Sequence, residues 1–216
     1  MPNMAEKLIL LSLQNESGKT FSRATYLKRY GLSSALLYEL ISRKKIEVQG
    51  KKLFIIDESS TGDPILDRAF EEIKNAKTLN KWIYSFVRFK ASIRKEILYN
   101  FIDNGIVRED EKRFLGFIPL KRYPVINDKD KRIAEQQVRD VLLDGKNEEI
   151  SLIFMSSIIV ACKAQSLILT KAEIKTISDK LKLIAKGKYY TTNDDLLPNT
   201  IKAIHSAIAA ESSAGT

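Results

Sequence analysis

Apolar positions fall in short blocks separated by polar, glycine-marked or proline-marked breaks, and the spacing within each block assigns an element. Residues 5–14 (Ala5-Glu6-Lys7-Leu8-Ile9-Leu10-Leu11-Ser12-Leu13) predict a short apolar helix, followed by a polar loop through Asn15–Lys19. A second helix is expected from Ser33 or Ser34, either able to cap it, through Leu36, Leu37 and Leu40 to about Arg43. Ile46–Val48 and Leu53–Ile56 alternate as strands around a Gln49-Gly50 turn. Thr61-Gly62-Asp63-Pro64 is a helix start: Asp63 suits the cap, and Pro64 suits the first helical position, where its missing N–H is not needed. That helix is expected to reach about Lys77. Another opens near Trp82 or Phe89 and stops at Asn104-Gly105.

The second half continues in the same manner. Ile106–Val125 predicts another hairpin, with strands near Ile106–Glu109 and Phe114–Leu120 and a charged Asp110-Glu111-Lys112 turn. Helices are expected over Asp130–Leu143, over the apolar run 151–169, from the capping box Thr170-Lys171-Ala172-Glu173, and over Asn199–Ala210. A fraying tail, 211–216, follows. Nothing along the chain reads as a linker or a repeat. The expected fold is mainly α: a single compact helical domain, 1–216, around a buried central helix, with two β-hairpins.

The run 151–169 is the longest apolar stretch. It contains Lys163 and Gln165 as well as several serines, and a central lysine would cost roughly 2.5–3.5 kcal/mol inside a bilayer, so a core helix is the better reading. Composition agrees: 44% hydrophobic and 29% charged residues are ordinary for a globular chain. A single cysteine, Cys162, rules out an internal disulfide. No basic stretch followed by an apolar run and a cleavage site opens the chain, so no secretory signal is read and a cytoplasmic location is expected, to which the family resemblance described below adds peripheral association with a membrane. The net charge of +9 favours anionic partners without choosing among lipid, nucleic acid and acidic protein.

Catalytic chemistry finds little support. His205 is the only histidine and falls on the terminal helix, while Cys162 lies in the apolar run, where a buried thiol is expected. One of each cannot build the usual zinc site, so no metal, cofactor or enzymatic activity is expected. Asp63, Asp67 and Glu71 share a helix face near its start, which favours the helix dipole more simply than acid–base work. Glu39 and Arg43, four apart, read as a helix ion pair. Gly18-Lys19-Thr20 lacks the spacing and strand of a phosphate loop. Residues 33–56, a helix then a hairpin, keep a winged-helix nucleic-acid binder as the alternative. Helix 34–43 carries Ala35, Leu36, Leu37, Leu40 and Ile41, however, a core pattern, and no nucleic-acid partner is expected.

Several segments, in order over residues 5–185, resemble the Golgi phosphoprotein 3 family. They are Glu6–Leu13, Leu36–Ile46, Thr61-Gly62-Asp63-Pro64-Ile65-Leu66-Asp67, and Phe114-Leu115-Gly116-Phe117-Ile118-Pro119-Leu120-Lys121-Arg122-Tyr123-Pro124. The resemblance implies a helical domain around a buried central helix. It also implies a surface pocket for the phosphatidylinositol 4-phosphate headgroup, a membrane-inserting hairpin, and an adaptor role towards membrane-protein clients. The family's arginine pair falls on Ala91-Ser92-Ile93-Arg94, so only Arg94 matches; Lys90, one turn earlier, stands in. The family arginine after Gly-Leu is Ser33 here, and Phe21–Tyr30 holds no tryptophan. The candidate headgroup residues are therefore Arg94, Lys90, Arg29, Lys28, Arg23 and Ser33, with Phe21, Tyr26 and Tyr30 as ring contacts. Phe114, Leu115, Phe117 and Ile118 are the candidates for membrane contact or homo-oligomerisation.

Overall fold

A computed structural model describes residues 2–85, 90–114, 117–145, 149–190 and 195–214; of residues 85, 90, 113, 114, 118 and 214 it describes the backbone alone. The first helix, α1, spans Met4–Ser12. Asn3 caps it through a reciprocal box: its Oδ1 accepts from the Glu6 N–H, and the Glu6 carboxylate accepts from the Asn3 N–H, each at 2.9 Å. A 3₁₀ turn at Ser22–Ala24 and a π-helical segment at Leu27–Gly31 lead without a break into α2, Leu32–Ser42. The expected capping serine is thus corrected. Backbone at Gly31 is already helical, and the hydroxyls of Ser33 and Ser34 donate back to the Tyr30 carbonyl inside a continuous helix.

Strands β1 (Ile46–Gln49) and β2 (Lys52–Ile55) pair antiparallel, with Gln49 opposite Lys52, so the turn sits at Gly50-Lys51. Buried Lys45 precedes them. Its ammonium donates to the Asp57 carboxylate at 2.6 Å and to the carbonyl and hydroxyl of Ser59 at 2.8 and 2.6 Å. All three N–H groups are satisfied, so the charge tolerates burial. Helix α3, Pro64–Lys74, starts as expected: Asp63 accepts from the N–H groups of Ile65 and Leu66. Helices α4 (Leu79–Ser85) and α5 (Lys90–Asp103) follow, and Gly105 ends α5 with φ +65°. Trp82 on α4 is 1% exposed, and its indole N–H donates to the Ser33 carbonyl at 2.9 Å.

The second hairpin differs from expectation in register. Strands β3 (Asp110–Phe114) and β4 (Ile118–Arg122) pair Asp110 with Arg122 and Phe114 with Ile118. The charged triplet Asp110–Lys112 therefore lies in a strand, and the reversal falls between Phe114 and Ile118. The hairpin root explains this. Val107 bridges Val125, and the Tyr123 N–H donates to the Gly18 carbonyl at 3.2 Å. Gly18 has φ +60°, and a Cβ there would meet the backbone nitrogens of Tyr123 and Pro124 at 2.3 Å. The loop after α1 is thus locked against the root, and counting outward from the root sets the turn.

Helices α6 (Lys129–Leu143), α7 (Ile150–Ala161), α8 (Lys171–Thr176), α9 (Ser178–Ala185) and α10 (Leu196–Ala214) complete the chain. Thr170 and Glu173 form the expected capping box on α8. Helix α7 is the buried helix at the centre, packed against α6, α9, α10 and the π-helical segment. Leu152, Phe154, Met155, Ile158, Ile159 and Val160 are all buried. Six such side chains contribute on the order of 10 kcal/mol, as an upper estimate. The expected helix 151–169 is shorter than predicted. Lys163 adopts φ +57°, its N–H bonds the Val160 carbonyl, and the Ala164 N–H bonds the Ile159 carbonyl. This is a Schellman stop built with lysine where glycine is usual. Helix α10 is longer than expected and carries Glu211 in its last turns.

Candidate functional site

The segment after α1 places a group of cations against α5. Leu27, Tyr30 and Gly31 are buried, which anchors the π-helical segment and leaves Lys28 and Arg29 half-buried at its outer side. From α5, the Arg94 guanidinium donates from Nη2 to the Thr20 hydroxyl at 3.1 Å, while its buried Nε has no partner among the described residues. Burial holds the Arg94 guanidinium below the ordinary arginine range, with the neighbouring Tyr123 hydroxyl acting the other way. Burial, and then the charges of Arg94 and Arg29, push the Lys28 ammonium down from the usual lysine value. Among the described residues no carboxylate pairs with Lys28 or Arg94.

Arg29 is differently placed. It forms an ion pair with Glu211 on α10, and the Tyr30 hydroxyl donates to the same carboxylate at 2.8 Å. Arg23 is exposed, its guanidinium 5.1 Å from the centre of the Phe21 ring, and Lys131 lies at 6.0 Å from that ring. Lys90 opens α5, but its side chain lies outside the described residues. Ser33 is fully buried, its hydroxyl spent on Tyr30 and its carbonyl on Trp82, so it presents no polar group at the surface. Tyr30, 2% exposed, belongs to the core and offers no surface ring. The site thus unites Lys28 with Arg94, places Arg29 beside them but paired, and leaves Ser33 out.

Two participants escaped the sequence reading. Lys131 is buried on α6 and donates to the Leu13 carbonyl at 2.7 Å and to the Asn15 side chain. Its signal was available: it occupies the helical stripe continued by Ala134, Val138 and Val141. Glu211 is the only acid in α10, a sign less easily read. The expected Glu39–Arg43 pair is corrected as well. Glu39 accepts from the Met4 N–H at 2.9 Å and Arg43 donates to the Thr61 carbonyl at 2.9 Å, because tertiary partners outcompete an exposed i, i+4 contact.

At the hairpin, Phe117 is 72% exposed beside the reversal. Leu115 lies outside the described residues, as do the side chains of Phe114 and Ile118. His205 is exposed on α10, and Cys162 is fully buried, with burial pushing its thiol far up from the usual range. Among the described residues, no helix is long and apolar enough to cross a membrane, and no group of three or more histidine, cysteine, aspartate and glutamate residues is placed to hold a metal ion.

These features define a class: a mainly α protein with a half-buried cation cluster and an apolar-tipped hairpin. A family model described as Golgi phosphoprotein 3 (GPP34) matches residues 4–207. The chain belongs to the Golgi phosphoprotein 3 family, a family of non-enzymatic lipid-binding adaptors.

Proposed function

We propose that this chain is a peripheral membrane-binding protein that takes the phosphate of an anionic phospholipid between Lys28 and Arg94. Arg23 and Lys90 add charge around the site, and the tip Phe114–Ile118 enters the bilayer. One observation carries this reading: two cations share a half-buried place with no carboxylate between them among the described residues. Mutual repulsion disfavours that arrangement until an anion arrives, and an arriving phosphate also meets the Arg94 Nε, which has no partner among the described residues. Phosphatidylinositol 4-phosphate is the headgroup class that family membership favours. Preference for it over other anionic lipids is modest in this reading, because Ser33 is buried and Ala91 replaces an arginine. An adaptor role towards membrane-protein clients follows the family. The winged-helix reading loses ground, since α2 buries Leu32–Leu37 and Leu40 and offers no recognition face.

The test is co-sedimentation with phosphatidylcholine vesicles carrying phosphatidylserine or individual phosphoinositides. Each cation near an anionic surface contributes about 1 kcal/mol, so removing two lowers binding at least about tenfold. That loss is expected for Lys28→Ala with Arg94→Ala, and for Lys90→Ala with Arg94→Ala, in variants that keep the parent's circular dichroism. Binding equal to the parent's, or a parent that ignores every anionic vesicle at low salt, sinks the assignment.

A further inference from the structure

Beside the Lys28–Arg94 pair lies a second place built for an anion, and the chain fills it itself. The Glu211 carboxylate pairs with Arg29 and accepts from the Tyr30 hydroxyl, whose ring is buried and whose hydroxyl also reaches the Ala207 carbonyl at 3.4 Å. Tyr30 is thus fixed by the core and Arg29 precedes it on the anchored π-helical segment, whereas Glu211 sits in the last turns of the terminal helix. The carboxylate also lines a hollow of about 360 Å³ together with Arg23, Tyr26 and Lys163. Lys163 is held there by the left-handed stop of α7. The Glu211 carboxylate is therefore paired with Arg29, and Arg23 and Lys163 line the same hollow.

We propose that Glu211 is a removable occupant of a second anion subsite, and that a phosphate group displaces it and takes Arg29 and the Tyr30 hydroxyl. A phosphate offers more acceptor oxygens than a carboxylate and a larger charge for Arg29, Arg23 and Lys163 to share. Displacement costs the Glu211 contacts, so the terminal helix weakens binding until it lets go. This device rests on the membrane-binding reading above and adds its regulation: the last turn of α10 is a latch on the cation cluster.

Glu211→Gln keeps an oxygen to accept from Tyr30 and removes the charge that holds Arg29. It is expected to bind phosphatidylcholine vesicles carrying phosphatidylserine about fivefold more tightly than the parent, the effect of one further free cation at an anionic surface. Arg29→Ala removes the latch, so adding Glu211→Gln to it yields no such gain. A gain of equal size in both backgrounds reports net charge alone and overturns the proposal, as does a folded Glu211→Gln that binds like the parent. If neither parent nor variant binds, the membrane reading falls too; if the parent binds and the variant merely matches it, only the latch falls. Hydrogen exchange at the amides of residues 211–214 supplies the second readout. Faster exchange with vesicles alone assigns the displacing phosphate to a lipid headgroup, and faster exchange with inorganic phosphate assigns it to soluble anions. No change with either overturns the latch.

Discussion

Two carboxylates outside the cation cluster contribute to the expected acid sensitivity. Asp57 is held down to about 2 by the Lys45 ammonium and by Ser59, and Glu173 to about 2 by Arg139 and the Thr170 cap. Both values lie below those of the unfolded chain, near 4. Their contribution to stability is therefore fully present above about pH 4 and is lost as pH falls through the folded value. A series of thermal melts from pH 5 to pH 2 is expected to show the midpoint falling most steeply between about 4 and 2. Asp57→Asn combined with Glu173→Gln should start from a lower midpoint and show a shallower fall; an unchanged slope would contradict the assignment. Gly18 is the other single position with a sharp expectation. Gly18→Ala sets a Cβ 2.3 Å from the backbone of Tyr123 and Pro124 at a left-handed φ. Backbone strain alone costs about 1–3 kcal/mol, and the clash adds to it, so urea denaturation should report at least that loss.

The hairpin and the central helix are expected to separate membrane contact from stability. Phe117 is exposed at the β3–β4 reversal, so Phe117→Ser should weaken vesicle binding while leaving the melting temperature within about a degree of the parent's. Ile159→Ala in α7 should do the reverse, costing about 2–5 kcal/mol of stability and leaving the vesicle affinity of the folded fraction unchanged. A loss of stability in the first variant, or of affinity alone in the second, would reassign these elements. Sequence signals were reliable where the cause is local. Asp63-Pro64 and the Thr170–Glu173 box each satisfy helix-end N–H groups from within a few residues, and both start helices as read. They failed where a distant partner decides. The hairpin register follows from a root pinned at Tyr123 by Gly18, more than a hundred residues earlier in the chain. The end of α7 is invisible because Lys163 adopts a conformation that glycine usually advertises. Of the candidate site, Arg94 was named from the resemblance and Lys28 as a cation of the loop that faces it. The burial of Ser33 and the capture of Arg29 by Glu211 follow from packing around the π-helical segment, which no spacing rule announces.

At the scale of the whole molecule, the excess of 36 basic over 27 acidic residues makes attraction to an anionic surface long-ranged and salt-dependent. Raising ionic strength from about 0.01 M to 0.15 M shortens the screening length from roughly 30 to 8 Å. Vesicle affinity should fall steeply over that range for the parent and less steeply for Lys28→Ala with Arg94→Ala. Equal slopes would mean that dispersed surface charge, and not the cluster, does the binding. How such titrations are read depends on Trp82. It is the only tryptophan in the chain, is shielded from water, and is tied by its indole to the first turn of α2. Its fluorescence therefore comes from one known place, with the blue-shifted emission of an apolar surrounding, and a red shift marks loss of the core. An aqueous quencher such as iodide should barely dim it in the native state. Docking at a bilayer through the hairpin tip should leave its colour unchanged, so a tryptophan shift on adding vesicles would signal rearrangement of the interior. Insertion itself is best followed by a tryptophan placed at Phe117, in a protein whose natural indole emission is expected to stay constant on docking.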